Sequence, residues 1–173
     1  MKRILTILLA CACAATPGLS APERFAADKP TPLKQLKPGK DDGNAVRFGG
    51  SVQLSGQFLV VWERGSKPVY RQVTFYPDPG SAALLPHAAG GEPVTELTLS
   101  NRDQAGPMLL ALPTAQTDLE RGGTGSEGAA TVTIRDYRAV VECDQRRYLA
   151  QLASARRNRD TLVSARGEVR PGC

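Results

Sequence analysis

Between Ser51 and Glu63 apolar and polar side chains alternate. Val52, Leu54, Phe58, Val60 and Trp62 take the even positions, and Ser51, Gln53, Ser55 and Gln57 the odd ones. A two-residue period puts the apolar set on one face of a strand. Leu59 and Val61 make its end apolar on both faces, and Gly56 interrupts the apolar row where a strongly coiled strand can bend. Glu63-Arg64-Gly65-Ser66-Lys67-Pro68 then supplies turn chemistry. Val69 to Tyr76 returns as a second strand, with Val69, Val73 and Phe75 expected on one face and Tyr70 and Tyr76 on the other. This hairpin is the strongest pattern in the chain.

Shorter strands are expected over Val94–Leu99, over Met108–Leu112, and from Thr131 onward, where Ala139, Val141 and Cys143 continue an alternation. Residues 114–130 include the run Gly122–Gly128, a surface loop by composition. Residues 145–158 fit two patterns. Tyr148, Ala150 and Leu152 alternate as a strand would, while Tyr148, Leu149, Leu152 and Ala153 share a helical face that Asp144 would cap. The fold class expected is therefore mainly β, with room for one C-terminal helix. A long first strand bent at a glycine, then a hairpin and short strands, suits a small antiparallel barrel of the five-stranded OB type or a short sandwich.

The ends of the chain read differently. Lys2-Arg3, an apolar run from Ile4 to Ala15, and small residues around Gly18 and Ser20 form the three regions of a secretory signal peptide. The run falls short of the ~20 apolar residues that spanning a bilayer needs. Cleavage after Ser20 is expected, with Ala12-Cys13-Ala14 as another cut, so residues 1–20 are assigned to a leader. Leu8-Leu9-Ala10-Cys11 resembles the lipobox of bacterial lipoproteins, which implies acylation of Cys11 and membrane anchoring as the alternative. Residues 21–45, rich in Pro and Lys, read as an extended linker, and 46–173 as one β-rich domain. Loss of the leader leaves Cys143 and Cys173, whose pairing in an oxidising compartment would contribute roughly 3–4 kcal/mol for a loop of about 30 residues.

Charge and chemistry narrow the function less than the leader does. The 22 basic residues less Lys2 and Arg3 leave 20 against 17 acidic ones, too even a balance to argue for nucleic acid. His87 is the only histidine and has no marked nucleophile beside it, so neither catalysis nor a zinc cluster is indicated. Gly123–Gly128 spells G-x-G-x-x-G but leads into a strand-like stretch, where a nucleotide site needs a helix; no cofactor is expected. The suggestive set is aromatic and basic: Trp62, Tyr70, Arg71 and Tyr76, with Phe75, Arg135, Arg138, Arg146 and Arg147. On a barrel face these side chains would stack with and neutralise an extended polymer. The expectation is a non-catalytic envelope module binding another envelope protein or an anionic or sugar polymer, with a small periplasmic hydrolase as the alternative.

Overall fold

The computed structural model describes residues 23–40, 42–63, 69–110, 125–142, 145–157 and 163–165. The leader, Cys11, Cys143 and Cys173 lie outside these residues, as does most of the glycine-rich stretch before Gly125. The described chain is mainly β, with β1 Phe25–Ala26, β2 Lys34–Gln35, β3 Val46–Glu63, β4 Val69–Pro77, β5 His87–Ala88, β6 Leu97–Leu99, β7 Gly125–Glu142, β8 Gln145–Arg157 and β9 Val163–Ala165. Two helices, α1 Pro79–Ala82 and α2 Arg102–Leu110, interrupt the strands.

Five strands close on themselves in the order β3-β4-β6-β8-β7, with β7 returning to β3. Every pairing around the ring is antiparallel except β6 with β8, which run parallel through Thr98↔Leu149 and Leu99↔Ala150. Closure removes the exposed edges that an open sheet of this size would carry. The long strand β3 makes it possible. Its length pairs with β7 from Val46 to Val61, while its second half also pairs with β4 from Gly56 onward.

Gly56 marks the place where β3 begins to serve both neighbours. A Cβ there would stand 2.2 Å from the Tyr76 carbonyl oxygen and 2.9 Å from Pro77 Cα, so only glycine lets the strands approach. The alternation read from the sequence fills the interior: Val52, Leu54, Phe58, Val60 and Trp62 are all buried. Val73 and Phe75 of β4, Val132 and Ile134 of β7, and Ala150 and Leu152 of β8 meet them there.

Two local expectations are corrected, and one open pattern is decided. Met108–Leu112 was expected as a strand, but residues 102–110 form α2, with Ala105 and Leu109 buried one turn apart. Asn101 starts the helix: its carbonyl accepts from the Gln104 and Ala105 amides, while its side chain exchanges two 2.9 Å hydrogen bonds with the Leu152 backbone. Residues 145–157 take the strand alternative, not the C-terminal helix, because β8 needs a period of two between β6 and β7. The faces at the start of β4 are also exchanged. Val61 pairs with Gln72 but Trp62 with Tyr70, so Arg71 is an extra residue in a bulge. That bulge turns Tyr70 inward and leaves Val69 49 % exposed.

Residues 23–36 run as an extended strap, as Pro-rich composition predicts, yet they dock on the barrel. β1 pairs with β5, β2 pairs with the first residues of β3, and Leu33 is 3 % exposed. Phe25 packs edge-on against Phe48 at 5.8 Å, Phe48 meets Tyr137 at 5.3 Å, and Tyr137 stacks on Tyr148 at 6.0 Å. A Tyr137 hydroxyl bond of 2.7 Å to the Pro86 carbonyl ties the β5 segment to β7.

Candidate functional site

A cleft of about 690 Å³ opens on the outer side of the barrel where β4, β6 and β8 lie next to one another. β4 contributes Arg71 and Gln72, the segment before β6 contributes Glu92, Thr95 and Glu96, β6 contributes Thr98, and the start of β8 contributes Gln145 to Tyr148. Thr98 arrives by strand alternation, Arg71 beside Gln72 by a bulge, and Glu92, Thr95 and Glu96 from the segment between β5 and β6. A core strand points alternate residues outward, so a polar side chain between two buried positions stands in the cleft wall. Thr98 stands between the buried Leu97 and Leu99, for example. The Arg71 bulge adds a second polar residue to the outer face of β4, beside Gln72, whose amide donates to Thr74 Oγ1 at 2.9 Å.

The cations of the cleft are tethered. Arg147 pairs with Glu142 at 3.6 Å, both about half exposed. Arg146 pairs with Glu23 of the strap and lies over the Phe25 ring, 5.5 Å from its centroid. Tyr148 completes this corner. Its hydroxyl oxygen accepts from the Ala88 amide and the Arg146 guanidinium, but desolvation of the phenol outweighs both and pushes its pKa up. The Arg71 backbone carbonyl accepts from Arg102 at 3.4 Å, which links the base of α2 to the cleft's β4 wall. The resulting surface combines three arginines with Glu92, Glu96, Gln72, Thr98 and Tyr148.

The residues singled out from the sequence part company here. Arg71, Arg146 and Arg147 come together in the cleft. Trp62 and Tyr70 do not, since both belong to the core, at 3 % and 9 % exposure. Tyr70 packs flat against α2, where a Cβ on Gly106 would be 2.3 Å from its Cδ1, and burial followed by the Asp103 charge raises its phenol pKa. Phe75 is fully buried, and Tyr76 is half-buried at the far end of β4, opposite Gln57. Arg135 is 57 % exposed on β7, 4.0 Å from Asp136, and neither it nor Arg138 lines the cleft.

His87 is 7 % exposed in β5 rather than in an open loop. Its Nδ1 lies 3.3 Å from the Leu85 carbonyl and its Nε2 3.8 Å from Asp28 of the strap, and His87 does not line the cleft. Gly125 and Gly128, the end of the G-x-G-x-x-G match, lie within β7, so a strand stands where a nucleotide site needs a helix N-terminus. Among the described residues no three His, Cys, Asp or Glu side chains gather as metal ligands, and no helix is long and apolar enough to cross a membrane.

Glu96 is one of the carboxylates the sequence offers for hydrolysis, but the sequence does not single out Gln72, Glu92, Thr98 or Tyr148. The polar member of Leu97-Thr98-Leu99 was a signal for Thr98 as an outward residue, but nothing local shows that β6 runs beside β8. No protein-family model matches the chain, and neither a curated protein nor a solved structure matches it.

Proposed function

We propose that the chain is an exported envelope protein whose OB-like barrel binds an acidic sugar polymer in the β4–β6–β8 cleft. The observation that carries this reading is the convergence of Arg71, Arg146 and Arg147 with Gln72, Thr98 and Tyr148 on one concave face. Guanidinium groups pair with carboxylate or phosphate in two-pronged fashion, hydroxyl and amide side chains match sugar hydroxyls, and a tyrosine ring offers the sugar an apolar surface. The second and third strands of OB barrels are a recurrent site for oligosaccharides and oligonucleotides. In this barrel β4 and β6 hold those positions after β3. The near-neutral charge balance and the leader favour the envelope glycan over nucleic acid. Export through cleavage after Ser20, and a Cys143–Cys173 bridge in the mature chain, belong to the same proposal.

Calorimetric titration with hexagalacturonate, an acidic oligosaccharide, and with neutral maltohexaose of equal length tests it. Binding of the acidic chain alone, weakened by added salt and by roughly ten-fold in Arg147→Ala, is expected from the loss of one charge-assisted contact. Equal binding of both chains, or none of either, overturns the reading. Glu92 and Glu96 share the cleft and support the second reading, a hydrolase using paired carboxylates. Release of reducing ends that stops in Glu96→Gln would establish that instead.

A further inference from the structure

The strap holds Arg146, one of the cleft cations. Its guanidinium contacts Glu23 and the Phe25 ring, neither of which lines the cleft, while Arg146 itself does. One side chain is thus shared between two sites. We infer that Glu23 is an intramolecular stand-in for the anionic group of the ligand, which competes with it for Arg146. This rests on the reading of the cleft as an anion-binding site, and adds a regulatory contact to it.

Three features make Glu23 displaceable without undoing the fold. The pair is well exposed, with side-chain exposures of 30 % for Arg146 and 48 % for Glu23. An ion pair this accessible shifts an equilibrium by no more than about five-fold, because water and salt screen it. The strap has other moorings: the β1–β5 pairing, the Ala89 amide on the Arg24 carbonyl at 2.8 Å, the Lys29 amide on the Ala83 carbonyl at 2.9 Å, and Phe25 against Phe48. Phe25 and Tyr148 keep the guanidinium at the cleft corner when the Glu23 carboxylate leaves. The exchange is therefore one carboxylate for another on a guanidinium that stays in place. No strand need open.

Glu23→Gln keeps the side-chain shape and removes the competing charge. Hexagalacturonate titrated into the full mature chain should bind Glu23→Gln about two- to five-fold more tightly than the wild type, with the gain fading as salt rises. Arg146→Gln should bind more weakly than the wild type, and adding Glu23→Gln to it should gain nothing. Unchanged or weaker binding in Glu23→Gln, with wild-type binding intact, overturns the stand-in and makes Glu23 an orienting group for Arg146. Absence of binding in the wild type and in Glu23→Gln alike removes the anion-binding cleft itself. Thermal unfolding of Glu23→Gln within a degree or two of the wild type checks that the strap remains docked.

Discussion

Tyr137→Phe isolates one hydrogen bond on which the attachment of the β5 segment depends. The Tyr137 ring is fully buried between Phe48 and Tyr148, and its hydroxyl donates to the Pro86 carbonyl at 2.7 Å. Phenylalanine preserves both ring contacts and leaves that carbonyl without its donor in a buried place. Orphaning a buried acceptor costs about 1–3 kcal/mol, more than the net value of an ordinary hydrogen bond. Urea unfolding at neutral pH should therefore show a midpoint lowered by roughly 0.5–2 M with an unchanged slope. The pH dependence supplies a second reading of the same group. Burial holds the Tyr137 phenol protonated far above the ordinary tyrosine range. A folded-state pKa raised above the unfolded value of about 10 gives stability that is complete below that pH and is lost as pH climbs beyond it. At pH 11 the wild type should have lost about 1.4 kcal/mol that Tyr137→Phe keeps, so the gap between the two narrows. Tyr70 and Tyr148, also raised, leave a shared alkaline loss in both proteins. A variant as stable as the wild type at pH 7, or a gap that widens at pH 11, would refute the reasoning.

Three other perturbations test separate parts of the barrel. Gly56→Ala forces a methyl group onto the Tyr76 carbonyl and should cost about 1–3 kcal/mol or more, measured by thermal unfolding; a neutral result would mean the strands are not in close contact there. Ser126→Ala removes a fully buried hydroxyl that has no hydrogen-bond partner among the described residues and should stabilise the protein by about 1 kcal/mol in the same assay, whereas a loss would reveal a partner. Asp42 accepts from the Gly39 amide at 2.6 Å and from Arg47 at 3.2 Å, and chiefly the first of these lowers its pKa. Its contribution is present above the ordinary carboxylate value and lost as pH falls through the lower folded one, so acid titration should show the stability gap to Asp42→Asn closing below about pH 4.

What could be read from the sequence depended on how far apart in the chain the partners lie. The β3 alternation was legible because period, bend and hairpin turn are all local, and they led directly to a mainly β barrel-like fold. Tyr70 was misplaced because a single extra residue, Arg71, reverses face parity, and no composition signal marks a bulge within Tyr70-Arg71-Gln72. Met108–Leu112 is apolar throughout, so it carries neither a helical nor a strand period. The helix is set by Asn101 gripping Leu152, 51 residues away. The strap shows the same limit from the other side. Prolines and charges suggest an extended linker, yet they say nothing of Leu33 and Phe25 finding the barrel. The arginines were legible as a set, but their division between the cleft and β7 follows from the parallel contact of β6 with β8.

The proposed ligand contact on the β4–β6–β8 face can be read residue by residue from amide chemical shifts during titration with hexagalacturonate. Perturbations should concentrate at Arg71, Gln72, Thr98, Arg147 and Tyr148, with β7 residues such as Arg135 and Asp136 unmoved. Perturbations centred on β7 or the α2 end of the barrel, with the cleft residues silent, would contradict it.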